Sequence, residues 1–128
     1  MVFGTFDIFH GGHKNMFEQA RAHGDNLIVV IARDETVIKV KGKSPQNDEI
    51  SRLAMIKQVS GADRVILGSL VDKFKRIKQI KPDVICLGYD QQEFTENLKK
   101  KLLSDNLKTK IIRLKAYKPE IYKTSKLI

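Results

Sequence analysis

The 128 residues, 41% of them hydrophobic, suffice for one core of a single sheet with flanking helices, and we expect residues 1–128 to form one domain. No apolar run reaches the roughly 18–20 residues of a membrane span, the start lacks a signal-peptide pattern, and the single cysteine excludes an internal disulfide, so we expect a cytoplasmic protein. The net charge is +9, but the basic segments lack the interleaved aromatic residues that are typical of single-strand binders. The positive charge therefore favours solvated helix faces and small anionic ligands over nucleic acid.

Apolar, β-branched segments alternate with helical patterns along the chain. The first half predicts a strand at "MVF", a helix over residues 13–23, a strand at "NLIVVIA", a polar loop at "KVKGKSPQN" and a helix over residues 48–59 capped by Asn47. The second half predicts a strand at "RVILG", a helix at "DKFKRIKQI", a strand at "DVICLG", a helix at "QEFTENLKKKLL", a strand at "KIIRL" and a helix start at "TSKLI". We therefore predict an α/β, Rossmann-like fold, an open parallel sheet of five strands with helices on both faces.

The unusual residues follow the ends of predicted strands. The stretch "GTFDIFHGGH" follows the first strand, "KVKGK" lies after the second, "GYDQ" follows the fourth, and "AYKPEIYKTS" follows the fifth. Ligands of open α/β sheets bind beyond the carboxyl ends of the strands, where the strand order reverses. This edge of the sheet is therefore the predicted site. Because the first strand is so short, we also expect that further residues would precede Met1.

Two histidines, His10 and His13, stand three residues apart where a loop becomes a helix. One helical turn aims both side chains to the same side, and the positive end of the helix dipole favours their neutral forms. Gly11 and Gly12 let a phosphate approach the backbone amides, an arrangement suited to triphosphate chemistry. An incomplete zinc site completed by Asp7, or a plain glycine turn, are the alternatives.

Ordinary structural roles also remain open for the other polar residues. Asp34 and Glu35 fit the cap of a turn or short helix, and the lysines of "KVKGK" fit either a loop that closes over phosphates or a solvated loop. An exposed ion pair would explain Arg52, and packing would explain Tyr117. Cys86, between two apolar residues of a predicted strand, fits core packing.

The decapeptide "GTFDIFHGGH" resembles the signature of the nucleotidylyltransferase superfamily, whose hallmark is H-x-G-H after the first strand; His10, Gly12 and His13 match it. Together with "GDNLIVVIARDETVIKVKGKSP", "ADRVILGS" and "KPDVICLGYDQQEF", it makes the whole chain similar to archaeal FAD synthetases, which are small FMN adenylyltransferases. The glycerol-3-phosphate cytidylyltransferases share this scaffold. The resemblance implies transfer of AMP from ATP to FMN by in-line displacement, with Mg²⁺ and in a homodimer, and without nucleic-acid or membrane partners.

The resemblance also implies roles for individual residues. The nucleotide-binding set comprises Thr5, Phe6, His10, Gly11, Gly12, His13, Asp90 and Tyr117. The catalytic set comprises His10, His13 and Lys41. Further phosphate contacts are expected from Lys43, Arg52, Lys118 and Ser125, and Asp7 would support the site through the magnesium nucleotide, with no metal held by the protein alone.

One segment departs from the cytidylyltransferase pattern. The motif of those enzymes reads close to R-T-E-G-I-S-T-S, whereas "KPEIYKTS" keeps Glu120, Thr124 and Ser125 but has Lys118 for the arginine and Tyr122 for the isoleucine. Lysine cannot reproduce the bidentate fork of arginine. The departure favours ATP and FMN over the alternative pair, CTP and glycerol 3-phosphate. Since the histidines and glycines of the signature are intact, a non-catalytic binder is the weakest interpretation.

Overall fold

The computed structural model describes residues 1–72, 74–88 and 92–115, the side chains of 92–95 excepted. The strands in this part of the chain are β1 (Val2–Gly4), β2 (Ile28–Ile31), β3 (Arg64–Leu67), β4 (Val84–Leu87) and β5 (Lys110–Arg113). The helices are α1 (Gly11–Arg21), α2 (Asp34–Lys41), α3 (Glu49–Val59), α4 (Lys75–Ile80) and α5 (Gln92–Ser104). The predicted helix start at "TSKLI" lies outside the described residues.

The strands form one parallel sheet in the order β3-β2-β1-β4-β5, which confirms the predicted α/β fold. The central strand is β1, where Val2 pairs with Val29 of β2 on one side and with Cys86 of β4 on the other. The chain builds outward from β1 to β3 and then returns to start β4 on the other side of β1. The strand order therefore reverses between β1 and β4, and a crevice opens at their carboxyl ends.

Alternate residues of each central strand serve different faces of the sheet, as the pleat requires. In β2, Val29 and Ile31 join one core cluster, with residues of α1 and α3, while Val30 joins the other, with residues of α4 and α5. Cys86 is 2% exposed and lies in the first cluster, so its predicted packing role is confirmed. Among the described helices, none has the length and apolarity needed to cross a membrane.

The predicted polar loop "KVKGKSPQN" is wrong over its first residues, because α2 continues through Lys41. Acidic residues in the first turn of α2 and lysines in its last turn complement the helix dipole, and Gly42 ends the helix at φ 76°, a conformation that glycine adopts without strain. The predicted cap of α3 is also displaced by one residue. Asp48 is the N-cap and accepts a hydrogen bond from the amide of Ser51 (2.7 Å), so Asn47 lies just before it.

Candidate active site

The signature loop, residues 5–10, joins β1 to α1 at the reversal of strand order. It begins with a sharp turn in which Phe6 has φ 52° and folds its ring back against Gly4. A Cβ atom at position 4 would lie 2.6 Å from that ring, so only glycine fits there. The ring of Phe6 is 4% exposed and packs against Phe17 and, edge on, against His13. The structure therefore makes the Phe6 ring a support beneath His13, which differs from the nucleotide-lining role that the resemblance implies.

His10 is the N-cap of α1. Its Nδ1 accepts a hydrogen bond from the amide of Gly12 (3.0 Å), and the neutral ring then carries its proton on Nε2. The rings of His10 and His13 stack with their centroids 3.8 Å apart and an interplanar angle of 20°. The prediction that the two side chains point to the same side is confirmed. One nitrogen of His10 thus organises the helix start, and the other carries the proton of the neutral ring.

Both histidines are held in the neutral form. Burial lowers the pKa of His10, and it lowers the pKa of His13 to about 3, with the charges of His10 and Lys41 acting in the same direction. The predicted direction is confirmed, but burial is the largest cause, ahead of any helix dipole. Within the described part of the chain, Nδ1 of His13 is buried and makes no hydrogen bond. Such an atom is rare in a folded protein. Among the causes that act on the pKa of His13, only a hydrogen bond with the backbone of Ile8 opposes the effect of burial.

The charge of Lys41 is felt at the histidine pair. Lys41 is the last residue of α2 and is exposed, and its charge contributes to the lowered pKa of His13. Lys43 is also exposed and follows the glycine turn at the end of α2. The exposure of Lys41 and its influence on His13 are compatible with the predicted phosphate contact, which stays a prediction.

Asp7 does something that the sequence did not predict. Its carboxylate is buried and accepts hydrogen bonds from the amides of Gln46 (2.7 Å) and Asn47 (2.8 Å), while its carbonyl accepts from the side chain of Asn47 (2.8 Å). Both carboxylate oxygens are therefore engaged with the turn between α2 and α3. Asp7 therefore holds that turn, which differs from the predicted support of magnesium or zinc.

Arg52 is likewise reassigned. It is fully buried, and each of its three nitrogens donates to the protein: Nε to the carbonyl of Asn47 (3.0 Å), Nη1 to the carbonyl of Thr5 (2.8 Å) and Nη2 to Oδ1 of Asp34 (2.7 Å). The predicted phosphate contact is wrong because the guanidinium has neither exposure nor a free nitrogen. The alternative, an exposed ion pair, is right about the pairing, since Arg52 bonds Asp34, and wrong about the exposure, since the arginine is fully buried.

Two further contacts near the site had no clear signal in the sequence. Asp34 and Glu49 bracket the starts of α2 and α3, since each carboxylate accepts from the backbone amide of the other residue (2.9 and 3.2 Å). On α1, the side-chain amide of Gln19 donates to the backbone carbonyl of Lys115 and accepts from its backbone N–H (3.0 Å each). These two bonds join α1 to the chain just after β5. Predicting a reciprocal pair separated by 15 residues, or a glutamine bonded to a distant backbone, would require knowledge of the fold.

Four predicted site residues, Asp90, Tyr117, Lys118 and Ser125, lie outside the described residues, and their roles stay predictions. Thr5 is half-buried at the start of the signature loop, and Gly11 and Gly12 form the first turn of α1. The described residues contain no group of three or more histidine, cysteine or acidic side chains arranged to hold a metal ion. What the structure brings together is the histidine pair at the start of α1, and the charge of Lys41 acts on the pKa of His13.

The whole chain resembles proteins of known type. The model of the family described as "Cytidylyltransferase-like" matches residues 1–128. The chain is 44% identical over 130 aligned positions to a protein of Pyrococcus horikoshii named FAD synthase, with 100% of this chain and 88% of the relative covered. It is also similar to a crystal structure titled as the lipopolysaccharide core biosynthesis protein from Thermoplasma volcanium, with a TM-score of 0.84, 42% identity and coverage of 91% of this chain and 95% of that one. The histidine pair at the reversal point of the sheet and these whole-chain matches agree: the chain belongs to the cytidylyltransferase-like family and is a nucleotidylyltransferase.

Proposed function

We propose that this enzyme transfers AMP from ATP to FMN and so forms FAD and pyrophosphate. The observation that carries the proposal is the stacked, neutral histidine pair at the start of α1, one nitrogen of which is buried without a hydrogen bond among the described residues. The acceptor is taken from the relative in Pyrococcus horikoshii, whose name is FAD synthase and to which the whole chain aligns. We further propose that it acts in the cytoplasm as a homodimer.

The reaction needs no protein nucleophile. A phosphate oxygen of FMN attacks the α-phosphorus of ATP with its electron pair, the bond from that phosphorus to the bridging oxygen breaks, and pyrophosphate leaves with the bonding pair. The Nε2–H of His10 donates to a phosphate oxygen. The negative phosphates raise the pKa of His13, so that His13 can take up a proton beside them. The ammonium of Lys41 neutralises the departing charge. Catalysis then consists of positioning and of charge stabilisation.

We propose that the divalent cation, Mg²⁺, enters with ATP. The described residues fit this view, because they offer no cluster of three metal ligands and because the carboxylate of Asp7 is occupied by backbone amides. Magnesium bound to a nucleotide keeps most of its water and needs few protein ligands. When bound, it supplies neutralisation of the triphosphate charge.

The choice of ATP is expected to depend on residues beyond β4 and β5. We propose that Asp90 accepts a hydrogen bond from the nucleotide, that Tyr117 packs against adenine, and that Lys118 and Ser125 contact phosphates. Tyr117→Ala should then raise the KM for ATP by about tenfold or more while changing kcat little, because it removes binding common to the ground and transition states. Steady-state kinetics would show this, with Tyr122→Ala as the matched control. An unchanged KM would exclude Tyr117 from the nucleotide site.

The second candidate is a cytidylyltransferase that joins CTP to glycerol 3-phosphate, favoured by the description of the family that the chain matches. A product assay that offers FMN and glycerol 3-phosphate, each with ATP and with CTP, separates the two. If FAD forms from ATP and FMN and the other three substrate pairs give no product, the proposal is supported. If CDP-glycerol forms from CTP and glycerol 3-phosphate, the alternative is supported. Titration calorimetry with ATP and with an oligonucleotide tests whether the positive charge also binds nucleic acid, which we expect it not to do.

A further inference from the structure

We propose that Arg52 is a positioning residue for nucleotidyl transfer: from a fully buried site it holds the signature loop and the helix that ends in Lys41 in one fixed arrangement. Arg52 lies on α3 and does not reach the substrate, so it acts through the groups that it bonds. The inference rests on the proposed function insofar as the histidines and Lys41 serve adenylyl transfer.

The three acceptors of Arg52 belong to three different segments. The carbonyl of Thr5 opens the signature loop, the carbonyl of Asn47 lies in the turn between α2 and α3, and the carboxylate of Asp34 lies at the first residue of α2. One planar guanidinium therefore sets the relative placement of all three. A single cation with one nitrogen cannot serve three acceptors in these directions.

The same segments are tied together from the other side by Asp7. The backbone amide of Asn47 donates to the Asp7 carboxylate, and its backbone carbonyl accepts from Nε of Arg52. The signature loop and the turn before α3 are therefore joined twice. Asp34 is fixed twice as well, by Arg52 and by the amide of Glu49. We call this set, Asp7, Asp34, Asn47, Glu49 and Arg52, the bracket. It holds α2 at its first turn and holds the signature loop at its first residues.

The bracket controls a cation at a distance from itself. Lys41 stands seven residues after Asp34, about 10 Å along the helix axis, so a tilt of about 10° at the start of α2 would move Lys41 by roughly 2 Å. Because displacements of about 1 Å within an active site can cost on the order of a hundredfold in rate, such a tilt would uncouple Lys41 from the histidines. Burying the Arg52 guanidinium costs desolvation free energy that offsets much of its attraction to the partly exposed Asp34, which favours a positioning role for Arg52 over one confined to stability.

The test compares Arg52→Lys with Arg76→Lys. Arg76 is a partly buried arginine that bonds the Leu67 carbonyl and the Gln79 side chain on α4, away from the site, and it is the matched control. For Arg52→Lys we expect kcat to fall by about tenfold or more while the Kd for ATP changes less than about threefold. We also expect faster hydrogen exchange at the amides of Gln46 and Asn47, which Asp7 protects in the wild type. Arg76→Lys should change none of these quantities.

A double-mutant cycle separates positioning from mere folding. If Arg52 acts through Lys41, the loss in kcat for Arg52→Lys combined with Lys41→Ala should be close to the larger single loss, because the two act as one unit. Multiplying losses, or a kcat of Arg52→Lys within about twofold of wild type, would overturn the proposal. Should Arg52→Lys not fold, Asp34→Asn replaces it in the same assays with the same criteria. If the wild-type protein makes no FAD, the proposed function is contradicted. Amide exchange is measured without FMN, so unchanged exchange in Arg52→Lys contradicts the positioning role independently of the acceptor.

Discussion

The bracket and the histidine pair are two polar groups beside the same central strand, and they are built in opposite ways. In the bracket, every nitrogen of Arg52 and both oxygens of Asp7 have partners. In the histidine pair, burial withholds charge from both rings, and Nδ1 of His13 has no hydrogen bond within the described residues. A satisfied network rigidifies its surroundings, while an unsatisfied one keeps binding capacity for a ligand. The contrast supports the proposal that the bracket holds the site and that the histidine pair meets the substrate.

The largest expected effect comes from removing either histidine. His10→Ala or His13→Ala should lower kcat by about a hundredfold or more, because the developing phosphate charge loses a donor that is already in place. The Kd for ATP should change much less. Rapid-quench or steady-state kinetics gives kcat, and titration calorimetry gives the Kd.

His23→Ala is the matched control, since this histidine is exposed just beyond α1. It should behave as wild type. Near wild-type turnover in both His10→Ala and His13→Ala would remove the pair from the mechanism and with it the distinction drawn between the two regions.

Asp7→Asn tests the other region. The amide side chain would place a donor against a backbone N–H that now bonds a carboxylate, so we expect a loss of about 2 kcal/mol in the free energy of unfolding. Urea denaturation measures it, with the exposed Asp25→Asn as the control. The magnesium concentration for half-maximal activity should stay the same. An increase in that magnesium concentration with unchanged stability would instead show that Asp7 supports metal binding.

The pH dependence of stability sharpens the comparison. The unfolded chain protonates its histidines near pH 6.5, whereas folded His13 has a pKa of about 3, so the unfolded state binds more protons between these values. Through His13, the free energy of unfolding should therefore fall by about 2 kcal/mol from pH 7 to pH 5. Burial also lowers the pKa of the Met1 amino group, which adds a separate rise in stability as the pH approaches 8. The lowered pKa values of Asp48 and Asp72 act only below the ordinary aspartate range. Urea titrations of wild type and His13→Asn check this, because the variant should lose most of the slope; an equal slope would contradict it.

The smallest expected effect concerns metal. We expect purified protein to hold no stoichiometric zinc, because His10 and His13 lack a third ligand among the described residues, although activity requires a divalent cation. Elemental analysis measures bound zinc, and activity after EDTA treatment and readdition of Mg²⁺ measures the requirement. One tightly held zinc per chain would show that the histidine pair is a metal site.

The alternation of the sequence predicted the parallel sheet and the main helices because apolar periodicity reflects which face is buried. It missed the helical character of residues 39–41 because alternating lysines and a glycine look like a loop, and because α2 buries Val37 alone among its side chains. That helix is fixed by tertiary contacts, above all the reciprocal bonds between Asp34 and Glu49. Such contacts join residues far apart in the chain and leave no local pattern.

The site was predictable in part for a similar reason. The histidines belong to a short motif whose geometry depends on local spacing, so the sequence alone predicted that His10 and His13 lie on the same side, while their role in catalysis stays a prediction. Arginine is nearly always exposed, and nothing in the pattern of α3 marks Arg52 as fully buried. The carboxylate of Asp7 belongs to the same motif, but its partners lie 39 and 40 residues away. The geometry of the local motif was therefore easier to predict than the residues that hold it in place.

The most direct measurement follows the α-phosphate of ATP. The enzyme is incubated with Mg²⁺, FMN and ATP labelled at the α-phosphate, and the label is traced by chromatography in wild type, His13→Ala and His23→Ala. We expect the label in FAD, with one pyrophosphate released per FAD, at similar rates in wild type and His23→Ala and at about a hundredth of that rate in His13→Ala. Absence of label from FAD in the wild type, or equal rates in His13→Ala, would contradict the account.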